Sequence, residues 1–162
     1  IQMLLIACMV VLGTQVAFAN ADKVTVQEGA DLTAIHRLAI GSPLYMQVDP
    51  KSPNKDMLTQ IVYESSRVAR CYVISYDTVA QNIKADQNID IKALDRRTAA
   101  KDFKQYVANY ADAYVILTVA NDSRTTFFFD VYKAGTNVLL YTYQIQANCC
   151  EGDTGANFTN LA

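Results

Sequence analysis

Between Tyr114 and Gln146 the chain carries three strand patterns in succession, separated by short polar turns. Residues 114–119, Tyr-Val-Ile-Leu-Thr-Val, form a nearly continuous apolar run of the kind expected for a central strand covered on both faces. After Asn121-Asp122-Ser123, the residues Thr125, Phe127, Phe129 and Val131 alternate with Thr126, Phe128, Asp130 and Tyr132, which is the two-residue period of a strand. A Gly135-bearing hairpin loop leads to residues 138–146, where Leu139, Tyr141, Tyr143 and Ile145 fall on one face. The pattern predicts an antiparallel three-strand meander, and the rest of the chain must pack against it.

Upstream, residues 35–40 and 44–48 are short apolar pieces divided by Gly41-Ser42-Pro43, consistent with one kinked strand or two short ones. Ser52 is read as an N-cap with Pro53 at the first helical position. Met57, Leu58, Ile61, Val62, Ser65, Val68 and Ala69 then recur at three- and four-residue spacing. Residues 71–75, Cys-Tyr-Val-Ile-Ser, make a second strand and so a βαβ unit. Asp77 is placed as the cap of a short helix through Ile83, residues 84–90 as a loop, and residues 95–110 as a second long helix. The stripe of that helix is Ala99, Ala100, Phe103, Tyr106, Val107 and Tyr110. Residues 20–34 form a polar leader that either lies on the surface or adds an edge strand through Val24-Thr25-Val26. The expected fold is α/β (α+β): a mixed sheet of about five strands, a βαβ unit followed by the meander, with helices packed mainly on one face.

The first nineteen residues hold no charge and close on Ala17-Phe18-Ala19, the small-x-small pattern of a signal-peptidase site. Cleavage is expected between Ala19 and Asn20. Gly13, Thr14 and Gln15 interrupt the apolarity that a spanning helix requires, although a retained anchor is the alternative. Leu5-Ile6-Ala7-Cys8 also fits a lipoprotein site that would acylate Cys8, but the residues after Cys8 stay apolar where a tether is usually polar. The division read from the sequence is a signal peptide at 1–19, truncated at its start, the leader at 20–34, and one α/β domain at 35–148. Residues 149–162 are read as the start of a truncated helix, with Asp153-Thr154 as cap and Ala156, Phe158 and Leu161 on its stripe. The expected location is therefore outside the cytoplasm, in the periplasm or on the surface of a bacterium, with membrane attachment only through Cys8 or a retained signal.

Composition excludes several classes of partner. The formal charge of −2 gives no broad attraction for phosphate backbones, so no nucleic-acid partner is expected. A 51% hydrophobic content with ten tyrosines and no tryptophan separates the chain from disordered and collagen-like sequences. Cys71, Cys149 and Cys150 remain after cleavage, an odd set that is no disulfide framework, though one long bond from Cys71 to Cys149 or Cys150 suits an oxidising envelope. With one histidine and no Cys-x-x-Cys, no metal site is expected, and no cofactor.

No catalytic constellation stands out. His36 is the lone histidine, readable as a base, a ligand or a surface residue, and the last is favoured because no positioned nucleophile or acid accompanies it. The chain has neither a Gly-x-Ser-x-Gly elbow nor a phosphate-binding glycine loop. Asp86, Asp90 and Asp95 lack the glycine and terminal glutamate of a calcium loop and read as a solvated segment. The aromatic set Tyr106, Tyr110, Tyr114, Phe127, Phe128, Phe129, Tyr132, Tyr141 and Tyr143 lines either a core or a binding surface. Core packing accounts for about half of it, since each strand exposes one side. If Leu139, Tyr141, Tyr143 and Ile145 face the helices, Phe128, Tyr132 and Leu140 emerge opposite as a surface for a partner.

Five segments together resemble a family of envelope domains: His36-Arg37-Leu38-Ala39-Ile40, the helix after it, Cys71-Tyr72-Val73-Ile74-Ser75 with its short helix, Ala111-Asp112-Ala113-Tyr114-Val115, and Phe129-Asp130-Val131-Tyr132 before the glycine hairpin. The family comprises the TolB amino-terminal domain and the CsgG-like and LpoB-like accessory lipoproteins. The resemblance spans residues 35–146. It departs at Val119-Ala120, where the family usually has a glycine, and at the tight turn 121–124; no pore-forming insertion or propeller repeat follows, so channel and whole-TolB activities do not transfer. The resemblance implies a non-catalytic module of envelope assembly that binds a protein partner or self-associates. The competing class is a periplasmic small-molecule or lipid-binding protein.

Overall fold

A computed structural model describes residues 21–46, 54–121 and 125–146. Among the described residues, seven strands form one mixed sheet. In chain order they are β1 (Ala21–Val26), β2 (Arg37–Ile40), β3 (Leu44–Tyr45), β4 (Tyr72–Ile74), β5 (Ala113–Asn121), β6 (Thr125–Lys133) and β7 (Leu139–Gln146). Their order across the sheet is β1-β7-β6-β5-β2-β4, with β3 also paired to β5. The mixed α/β class is as expected, and so is the meander: β5, β6 and β7 pair antiparallel in sequence. β2 lies parallel between β4 and β5, and β3 continues along β5 after the break at residues 41–43. The leader contributes the edge strand, β1, antiparallel to β7.

The strand count exceeds the expected five because the kinked first segment divides into β2 and β3 and the leader joins the sheet. The break is tight. The Gly41 N–H donates to the Val115 carbonyl at 2.8 Å, and a Cβ at Gly41 would meet Ile116 Cδ1. Glycine is the residue that fits where two backbones approach this closely.

Among the described residues, three α-helices cover the sheet, α1 (Lys55–Ser66), α2 (Tyr76–Gln87) and α3 (Arg96–Tyr106). Their starts follow from capping. Asn54 Oδ1 accepts the Met57 N–H, Ser75 Oγ accepts the Thr78 N–H, and Asp95 Oδ1 accepts those of Arg97 and Thr98. Asn54 is thus the α1 cap and Ser75, not Asp77, the α2 cap; Ser52 and Pro53 lie outside the described residues. α2 runs a turn further than expected because the polar residues 84–87 are its solvated last turn, ended by Asn88 in the left-handed conformation at φ 56°. α1 stops at Ser66, so Val68 is 89% exposed and not part of its stripe. α3 ends at Tyr106 and tightens into a 3-10 turn at Val107–Asn109.

α2 and α3 share one face of the sheet, but α1 covers the other, where the expectation was of helices packed mainly on one face. Leu58, Ile61 and Val62 of α1 pack with Leu38, Ile40, Val115, Leu117, Phe127 and Phe129 on one side. On the other, Val79, Ala80 and Ile83 of α2 and Phe103 of α3 pack with Ala39, Ile74 and Tyr114. β2 and β5 are therefore sandwiched, which is why Leu38, Ala39 and Ile40 are all buried. Each fully buried aliphatic side chain stabilises the fold by roughly 1.5–3 kcal/mol against exposure.

A β-bulge adjusts the far end of the meander. Val131 pairs with Tyr141 but Tyr132 pairs with Leu139, leaving Leu140 as the extra residue. The bulge takes Leu139 out of the row formed by Tyr141, Tyr143 and Ile145.

Candidate functional site

The α1 face of the sheet is covered unevenly. Three cross-strand rows run from β6 through β7 to β1: Val131–Tyr141–Val26, Phe129–Tyr143–Val24 and Phe127–Ile145–Asp22. Directly opposed residues share a face, so each row is one strip of surface. Its β6 end lies in the core with α1. Tyr141, Tyr143 and Ile145 are half-buried, and on β1 Val24 and Val26 are 54% and 50% exposed. The strip thus rises out of the core through half-buried β7 residues to the exposed Val24 and Val26 at the sheet edge.

Its aromatic members are positioned by contacts reaching back into the core. Phe127 and Phe129 meet edge to face at 6.0 Å, and Phe129 and Tyr143 have ring centroids 6.2 Å apart. The Tyr143 hydroxyl donates to Asp22 Oδ2 at 3.3 Å, tying β7 to β1. Burial raises the Tyr141 and Tyr143 hydroxyls above the ordinary tyrosine range, and the nearby Asp22 carboxylate raises Tyr143 further, so both remain neutral donors.

The opposite face of the same strands is polar. Thr142 donates to Asp130 at 2.7 Å, and Gln146 Nε2 donates to Thr126 at 3.3 Å. Phe128, paired with Gln144, is the large apolar residue there and is half-buried. Tyr132 lies on that face too, but its ring stacks on Tyr114 at 5.3 Å within the core under α3. Leu140 lines a separate cavity of about 320 Å³ at the end of the sheet with Ile35, Asp112 and Lys133. The three residues put forward as a partner surface therefore do not line one patch. The alternation that should have aligned Leu140 with Phe128 is broken by the bulge.

The other singled-out residues have local roles. Cys71 lines an apolar groove of about 220 Å³ with Ile35, Val131 and Tyr141; burial, and then the Asp112 carboxylate, raise its thiol above the usual range. Cys8, Ala19, Asn20, Cys149 and Cys150 lie outside the described residues. His36 is exposed, and its backbone N–H donates to Asp112 Oδ2 at 3.0 Å. Asp86 accepts the Tyr110 hydroxyl, Asp90 pairs with Lys84 at 2.6 Å, and Asp95 caps α3.

The fold, as distinct from the site, is similar to that of a solved structure. The LpoB carboxy-terminal domain from Escherichia coli superposes with a TM-score of 0.54 at 14% identity, over 75% of this chain and 89% of that one. The fold is LpoB-like. The LpoB domain from Salmonella enterica gives a TM-score of 0.49 at 12% identity over 70% of this chain and 82% of its own. A PelC dodecamer subunit from Paraburkholderia phytofirmans gives 0.48 at 8% identity over 88% and 91%. No family model and no curated protein matches the sequence. Among the described residues, no helix is long and apolar enough to cross a membrane.

Proposed function

We propose that this chain is an exported, non-catalytic module of the bacterial cell envelope, which binds a protein surface, a partner's or its own, along the β1–β7 strip. The observation that carries the reading is the apolar row Phe129–Tyr143–Val24, anchored in the core at one end and half-exposed at the sheet edge. β1 is that edge, and its outer side pairs with no described strand. An added strand would satisfy its backbone groups while apolar side chains covered Val24 and Val26. The LpoB-like fold supports the envelope assignment, and the uncharged run at Ile1–Ala19 supports export to the periplasm or cell surface. Kinship with the wider TolB amino-terminal and CsgG-like group belongs to the same proposal.

Photo-crosslinking in cells tests it, with the crosslinker at Val24 or Val26 and, as a control, at the exposed Lys101 of α3. A discrete product from the β1 positions, absent from the α3 position and abolished by V24K or V26K at the neighbouring site, is expected. Equal yields at all three positions, together with a monomer by sedimentation equilibrium, would refute the reading.

A further inference from the structure

β2 and β4 are adjacent parallel strands whose chains leave toward opposite faces, β2 through β3 to α1 and β4 directly into α2. In open α/β sheets such a divergence leaves a crevice beyond the carboxyl ends of the strands. Here it is a cleft of about 580 Å³ lined by Lys55, Asp56, Tyr63, Tyr76, Lys92 and Arg96, among others. It continues into a smaller pocket of about 120 Å³ between α3 and the sheet, walled by Phe103, Ile116 and Tyr132. Lys55, Tyr76, Arg96 and Ala99 line both spaces and so stand at their junction.

The charges there are unevenly matched. Lys92 Nζ lies 2.7 Å from Asp77 Oδ1, with Asp56 also acting on it. Lys55 and Arg96 make no ion pair among the described residues. Both belong to first helical turns, and of the carboxylates lining the cleft Asp77 is engaged by Lys92, on which Asp56 also acts.

A buried side chain supplies an independent indication. Tyr76 is only 9% exposed, with its ring 5.8 Å from that of Phe103, and its hydroxyl makes no hydrogen bond to any described residue. An unpaired buried hydroxyl is costly unless something entering the space satisfies it. The adjoining pocket limits what enters: a cavity of about 150 Å³ holds benzene, so this smaller one, open to the cleft, admits an apolar group of at most about one ring and excludes a fused system.

We propose that the crevice binds a small organic anion, its carboxylate or phosphate head between Lys55 and Arg96 and on the Tyr76 hydroxyl, and its ring-sized apolar body against Phe103. Guanidinium and ammonium donors at the junction fix the head, and the pocket selects for the body. The crevice lies toward the β4 edge and the strip at the β1 edge, so either reading can fail without the other.

The test is an NMR titration of the full chain with phenylacetate and with phenyl phosphate, which separate the two head groups, alongside benzylamine and acetate. Saturable shifts at Tyr76, Arg96 and Phe103 are expected from at least one aromatic anion, with neither benzylamine nor acetate matching them. R96Q and K55Q should each raise Kd about tenfold, as loss of a charge-assisted bond does, and Y76F about threefold to tenfold, with melting temperatures unchanged for the two exposed positions. Absence of saturable binding by both anions at millimolar concentration, equal binding of benzylamine, or a Kd indifferent to R96Q and K55Q would overturn the proposal.

Discussion

Asp112 grips the start of β2 through Arg37: its Oδ2 accepts the Arg37 backbone N–H at 2.8 Å while its Oδ1 meets the Arg37 guanidinium at 3.3 Å. Because Oδ2 also accepts the His36 N–H, one carboxylate fixes the register at which β2 enters between β4 and β5. Replacing Asp112 with Ala should therefore cost about 1.5–3 kcal/mol, the range for hydrogen bonds to a charged group, measured by urea unfolding at neutral pH.

The same contact sets an acid dependence. Partial burial pushes the Asp112 carboxyl upward, but the bonds from Arg37 and His36 outweigh it and hold the group below the ordinary carboxylate value. A depressed folded-state value means that the stabilisation is complete above the unfolded-state value and is lost as pH falls through the folded one. The stability gap between the native chain and Asp112→Asn should accordingly be widest near neutrality and shrink below about pH 4. A gap unchanged down to pH 2 would contradict the assignment.

Gly41 should tolerate no side chain without a cost. A Cβ there meets Ile116 Cδ1 and comes within 3.2 Å of the Val115 carbonyl oxygen; the side chain can yield, but the backbone cannot readily do so. Gly41→Ala should destabilise by about 1–3 kcal/mol. Adding Ile116→Ala should recover part of that loss in a double-mutant cycle, whereas additive effects would show that the two residues do not collide.

Tyr114 ties β5 to the hairpin. Its side chain is fully buried, and its hydroxyl donates to Asn137 Oδ1 at 2.9 Å, a residue held at φ 57°. Tyr114→Phe should cost about 1 kcal/mol. Burial, with Tyr132 alongside, pushes its ionisation up to about 12. A raised value means full stabilisation below the unfolded-state value near 10 and progressive loss as pH climbs toward 12. Alkaline unfolding of the native chain should be steeper than that of Tyr114→Phe.

Helix α1 supplies a contrast between adjacent residues. Leu58 is fully buried and Met57 is 39% exposed. Leu58→Ala should lose about 2–5 kcal/mol to cavity formation, and Met57→Ala should stay within roughly 0.5–1 kcal/mol. Comparable losses from chemical denaturation would mean that α1 sits on the sheet in another orientation.

The strands and helices of this fold were legible where period and burial coincide. The run at 114–119 and the alternation at 125–132 predicted β5 and β6 because each reports directly which faces are covered. The leading helix was legible from Leu58, Ile61 and Val62, but not its start, since Ser52 and Asn54 on either side of Pro53 both carry cap chemistry. The two-sided packing had a signal in β2: Leu38, Ala39 and Ile40 are consecutive and apolar, which a strand covered on one side does not need. The partner strip was misaligned by the bulge at Leu140, which periodicity alone does not announce. The crevice was hidden for a different reason. Lys55, Tyr76, Lys92 and Arg96 come from four segments, and no motif links them.

β1 and β7 stand at opposite ends of the described chain yet form the outermost pair of the sheet. The register Val24–Tyr143 therefore joins residues from the two ends of the described chain, and β1 has its partner only once the last described strand exists. Because synthesis runs amino end first, β1 is made well before β7, the strand it pairs with. Asp22 and Lys23, the charged pair at the beginning of β1, are side chains of the kind that disfavour pairing along an open strand edge.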